Sequence, residues 1–93
     1  MLNEDHLALL QEHLIALTRP NTLAVLSALA DQALSVEQLS EQLNLTGAGL
    51  NQALTALRKA RMITLVKQDI SFVYVISNEK VKQLLMQLNQ IYQ

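Results

Sequence analysis

The sequence predicts a mainly α-helical domain carrying one small β-hairpin, in the order α-α-α-α-β-β-α. Three observations predict it. Leucine supplies 20 of the 93 residues and recurs at three- and four-residue spacing, the period of helices with an apolar face. Between residues 62 and 76 the texture changes to two short runs of β-branched and aromatic residues. Proline and good capping residues stand at the borders between these stretches.

The first helix spans Asn3 to about Thr18, with Leu7, Leu10, Leu14 and Leu17 on one stripe and Leu2, Leu9 and Ala16 on a second. Pro20 interrupts the pattern and suits the first turn of a new helix, where its missing N–H is not needed. That second helix runs to about Ala30 with Leu23, Leu26 and Leu29 inward. Ser35-Val-Glu-Gln38 is a capping box that opens a third helix through Leu43. After a turn at Asn44-Leu45, Thr46 is a good N-cap for a fourth helix through about Ala60, with Leu50, Leu54 and Leu57 on one face. Gly47 and Gly49 weaken its first turn by up to ~1 kcal/mol each. Met62–Val66 and Ser71–Ile76 form the hairpin, separated by the polar stretch Lys67-Gln68-Asp69. Asn78 caps the last helix, whose stripe is Val81, Leu84, Leu85, Leu88, Ile91 and Tyr92.

Length and composition bound the function. A chain of 93 residues and 51% hydrophobic content is one domain over residues 1–93, with no room for a large catalytic cleft. Only 16% of residues are charged, which excludes a disordered chain. So small a domain hides only about two-thirds of its unfolded surface, so its apolar surplus points to a subunit interface. No cysteine is present, which removes disulfides, zinc ribbons and thiol chemistry. The acidic start MLNEDH does not resemble a secretory signal. The longest strongly apolar stretch, Leu23–Ala30, is far shorter than the ~20 residues of a membrane span. A cytoplasmic protein with no membrane partner is expected.

The net charge of −1 conceals a pattern. Residues 1–43 carry six acids against Arg19 alone, whereas residues 44–67 carry Arg58, Lys59, Arg61 and Lys67 with no acid. That basic segment can attract a polyanion although the whole chain does not.

Two short helices joined by a tight turn, the second followed by a hairpin, make a helix-turn-helix with a wing. The outward positions of the second helix are Thr46, Gly47, Ala48, Asn51, Gln52 and Thr55. They are small or polar enough to approach base edges, and Asn and Gln each offer a donor–acceptor pair to adenine. Arg58 and Lys59 are candidate phosphate contacts, and the hairpin would reach a neighbouring phosphate or the minor groove through Lys67 and Gln68. In a plainer account Arg58 and Lys59 only complement a helix C-terminus.

Residues 35–63, SVEQLSEQLNLTGAGLNQALTALRKARMI, resemble the helix-turn-helix of the ArsR-type (arsenic-repressor-like) winged-helix regulators. LTRPNTLAVLSAL, residues 17–29, resembles the segment before it in that family. MarR-like winged helices share much of the pattern. The resemblance covers nearly the whole chain. It implies a DNA-binding regulator in which the first and last helices, here residues 1–18 and 78–93, build a symmetric homodimer. The helix-turn-helix is then 35–60 and the wing 62–76. Leu2, Leu9, Leu10, Leu14, Leu84, Leu85, Leu88 and Ile91 are the expected interface.

There are departures from the family. Asn51 and Ala53 stand where it has serine and histidine, Arg61 replaces a glycine, and Ile70-Ser71 replaces the Gly-Arg pair of the wing. The family's cysteine ligands and the His/Asp pair of its last helix are missing, so metal or arsenic sensing does not carry over. His6 and His13 lie two turns apart on one helical face, too far for one metal within a chain, and read as partly exposed dimer surface. Gly47 and Gly49 precede no Gly-Lys-Ser after a strand, so no nucleotide loop is expected. No catalytic constellation stands out, and neither enzyme activity nor a cofactor is expected.

The sequence therefore points to a homodimeric regulator of transcription that reads a palindromic double-stranded operator. Any small-molecule or protein effector is unmarked. The alternative is a winged-helix adaptor that has lost DNA binding and engages a protein partner, motivated by the two glycines and the cation-poor wing.

Overall fold

The computed structural model describes residues 1–93. It contains α1 (Glu4–Leu17), α2 (Thr22–Leu29), α3 (Val36–Leu43), α4 (Gly47–Lys59), β1 (Ile63–Gln68), β2 (Ser71–Ile76) and α5 (Glu79–Ile91). Both the order and the element types match the sequence-based expectation.

Local chemistry sets the boundaries. The Asn3 side chain accepts from the His6 N–H at 2.8 Å and starts α1. At α3 the Gln38 N–H donates to Ser35 Oγ at 3.1 Å while the Ser35 N–H donates to Gln38 Oε1 at 2.9 Å, the reciprocal bonds of a capping box. Asn78 starts α5 by accepting from the Val81 N–H at 3.0 Å. Pro20 lies in the α1–α2 turn rather than in α2, because Asn21 takes a left-handed conformation (φ 69°) before the helix begins. Thr46 is at the N-cap of α4 as expected, but its side chain makes no capping hydrogen bond.

The core is one cluster built around α2 and α4. Val25, Leu26 and Leu29 meet Leu39 of α3, Leu50, Ala53, Leu54 and Leu57 of α4, and Met62, Ile63, Tyr74 and Ile76 of the hairpin region. Leu23 departs from the expected inward set and is 46% exposed. Thr22 takes a buried place in α2 instead, its hydroxyl donating to the Arg19 carbonyl. The hairpin is antiparallel, pairing Ile63 with Ile76 and Gln68 with Ser71. Lys67 and Gln68 belong to β1, so the turn shrinks to Asp69-Ile70, with Asp69 at φ 57°. Leu34 adds a bridge to β2: its N–H donates to the Tyr74 carbonyl at 3.2 Å and the Tyr74 N–H donates back at 2.7 Å. That bridge ties the start of α3 to the wing.

The terminal helices are moored more lightly. Only His13 and Ala16 of α1, and Val81 of α5, are fully buried. The expected stripes are largely outside: Leu7, Leu14, Ile91 and Tyr92 are exposed. Helical periodicity marks a face that is to be covered, but not what covers it.

Candidate nucleic-acid interface

Asn44 ends α3 in a left-handed conformation (φ 53°), and the Leu45 N–H donates to the Ser40 carbonyl at 3.1 Å. This tight exit redirects the chain within three residues. Gly47 completes the redirection at φ 55° with open space around it. Only glycine takes that conformation without cost, so it does more than weaken the first turn of α4.

The opposite faces of α4 then separate cleanly. Leu50, Ala53, Leu54 and Leu57 are buried. Thr46, Gly47, Ala48, Asn51, Gln52 and Thr55 are exposed, as the sequence-based set requires of a helix standing proud of the core. Ala48, Asn51, Gln52, Thr55 and Lys59 also share one open groove of about 900 Å³. Its other wall is the C-terminal part of α1 and the turn after it. Arg58 is exposed but turns away from this groove, its guanidinium lying 6.0 Å from the centroid of the Tyr74 ring. Lys67 and Gln68 are exposed at the far end of β1. The wing tip beyond them offers Asp69 and a 95% exposed Ile70, so Lys67 is the wing's cation. Arg61 turns the chain out of α4 at φ 61°, and its carbonyl accepts from the Ser77 hydroxyl.

The residues expected at a subunit interface form a second region. Leu2, Leu9, Leu10 and Leu84 line a cleft of about 660 Å³ between α1 and α5. Leu88 is half-buried, Leu14 and Ile91 are exposed, and Leu85 packs against the core. His6 and His13 border the same cleft, as does Lys80. The expectation of a partly exposed His13 is corrected: it is 4% exposed, and its Nε2 has no hydrogen-bond partner. Burial holds its pKa below the ordinary 6.5, Glu12 pulls the other way, and Lys80 adds to the lowering. No group of three or more His, Cys, Asp or Glu residues is placed to hold a metal ion, and no helix is long and apolar enough to cross a membrane. Sequence reasoning missed Arg19 as a wall of the α4 groove, because its acidic surroundings in sequence gave no hint of its neighbours in space.

No protein-family model matches the chain. The HTH-type transcriptional regulator KmtR of Mycobacterium tuberculosis is 32% identical over 85 residues, 91% of this chain and 65% of that protein. The transcriptional activator HlyU of Vibrio cholerae is 32% identical over 77 residues, 83% of this chain and 71% of that protein. The chain thus spans about two-thirds of the length of these relatives. The solved structure of HlyU from Vibrio cholerae superposes with a TM-score of 0.85 at 30% identity, covering 97% of this chain and 98% of that one. The homodimeric winged helix-turn-helix DNA-binding domain Mb0332 of Mycobacterium bovis, a possible ArsR-family regulator, superposes with a TM-score of 0.77 at 20% identity, over 97% of this chain and 86% of that one. That likeness is one of fold.

A proud second helix, a tight left-handed turn before it and a two-stranded hairpin after it define a winged helix-turn-helix protein. The chain belongs to the ArsR-type family of helix-turn-helix transcriptional regulators.

Proposed function

We propose that the chain binds DNA sequence-specifically as a homodimer, with α4 in the major groove and one half-site per subunit. The observation that carries this is the exposed face of α4, where Asn51 and Gln52 stand free of the core with small neighbours that let bases approach. Asn51 and Gln52 are the base-reading residues, with Thr46, Gly47, Ala48 and Thr55 allowing close approach. Arg58, Lys59, Lys67 and Gln68 contact the sugar–phosphate backbone. The apolar faces of α1 and α5 pair the subunits, which makes the operator palindromic with half-sites about one helical turn apart. The relatives named as regulators, and the homodimeric state of Mb0332, support the same reading. A cytoplasmic location follows from acting on the chromosome.

The test is selection of duplexes from a random pool, followed by footprinting and mobility shift at ~50 mM salt. A discrete palindrome bound by the wild type and lost on Asn51→Ala or Lys67→Glu supports the proposal. Absence of binding at that salt overturns it.

A further inference from the structure

The groove beside α4 has one cationic wall residue with no part in the phosphate contacts assigned to Arg58, Lys59 and Lys67. Arg19 sits in the α1–α2 turn, and its backbone is fixed from both sides. Its N–H donates to the Ala16 carbonyl at 3.1 Å, and its own carbonyl accepts from the buried Thr22 hydroxyl at 3.0 Å. Pro20 follows and restricts the chain further. The side chain is left exposed and borders the groove shared with Asn51, Gln52 and Lys59. The turn is seated against the start of α4: the Asn21 side-chain nitrogen would lie 3.8 Å from a Cβ at Gly49. A charge on a short, anchored turn next to the base-reading end of α4 is preorganised for whatever lies alongside that helix.

The occupant is decided by the chemistry of the walls. Asn51, Gln52 and Thr55 set polar groups among the apolar Ile15, Ala16, Pro20 and Ala56, and the cations Arg19 and Lys59 outnumber the one acid, Glu12. An apolar partner helix or greasy ligand would strand those amides. A sugar–phosphate strand would not, and its spaced negative oxygens suit a guanidinium fork. We infer that Arg19 and Lys59 form a phosphate clamp on one DNA strand flanking α4, with Glu12 as a repulsive element that weakens it. This rests on α4 entering DNA.

The experiment uses the full chain and a fluorescein-labelled duplex carrying the sequence selected by the wild type, with a scrambled duplex beside it. Anisotropy titrations over a range of salt give the affinity and its salt slope. Arg19→Gln should weaken binding to both duplexes alike, by roughly tens-fold near 0.1 M salt, and should reduce the slope by about two per dimer. Arg19→Lys should restore most of the slope, and Glu12→Gln should tighten binding. Circular dichroism of each variant establishes that the fold is kept. If Arg19→Gln leaves affinity and slope unchanged, or weakens only the selected duplex, the clamp is overturned while DNA binding by α4 stands. If the wild type itself binds neither duplex, the underlying reading fails and the clamp with it.

Discussion

The guanidinium carbon of Arg58 lies 6.0 Å from the centroid of the Tyr74 ring, joining the last turn of α4 to the second strand of the wing. Its neighbour Lys59 points instead into the groove shared with α1, as the ~100° advance per helical residue demands. Arg58 therefore carries a stacking contact that Lys59 lacks, whatever phosphate contact the two share. Arg58→Gln should lower stability to urea by about 0.5 kcal/mol, the size of an exposed cation–π contact. Lys59→Gln should leave the unfolding midpoint in place and weaken DNA binding. Equal midpoints for wild type and Arg58→Gln would remove the stacking role.

The two glycines of α4 should respond with opposite signs. Gly47 is at φ 55° in open space, so Gly47→Ala strains only the backbone and should cost about 1–2 kcal/mol. Gly49 has no such conformation, and its added Cβ would make ordinary contact with Asn21. Gly49→Ala should therefore stabilise by about 0.5–1 kcal/mol. Chemical denaturation of the two variants decides the matter, and the same sign in both would contradict it.

Ser35 supports α3 and thereby the turn into α4. Ser35→Ala removes one arm of the reciprocal pair with Gln38 and should cost about 1 kcal/mol. A loss no larger than that of an exposed alanine substitution elsewhere on α3 would show that the cap is idle.

His13 makes stability depend on pH. Its folded pKa is held below 6.5 by burial, so the unfolded chain takes up this proton more readily than the folded one. Stability from this group is complete above pH 6.5 and is lost as pH falls from there through the folded pKa. The melting temperature should fall as the pH drops below 6.5, and His13→Leu should flatten that dependence. Parallel curves for the two proteins would assign the effect to other groups.

Pairing through α1 and α5 is tested where the apolar face is outermost. Leu14 and Ile91 are exposed in the single subunit, so Leu14→Glu and Ile91→Glu should leave its helix content intact and shift sedimentation from dimer to monomer. A wild type that already sediments as one subunit at micromolar concentration would refute the pairing.

Elements were legible in the sequence where local chemistry dictates them. The Ser35–Gln38 box, the Asn78 cap and the β-branched hairpin are decided by neighbours in the chain. Leu23 and His13 were not, because apolar spacing cannot distinguish a core position from an outer one and an imidazole carries no local sign of burial. The α4 face was readable from the helix period alone. Arg19 beside it was not, since only the packing of α1 and α2 on α4 brings the two together. The left-handed Gly47 escaped because propensity measures a glycine's cost in an ordinary helix, not its need at a sharp bend.

Of the 13 residues in α5, Val81 alone is fully buried. A helix with so little of its length buried frays readily when nothing lies against its other side. Were a second subunit to cover that side, as proposed, folding and pairing would share a single equilibrium, and the melting temperature would become a function of protein concentration. Dilution alone would then loosen the C-terminus.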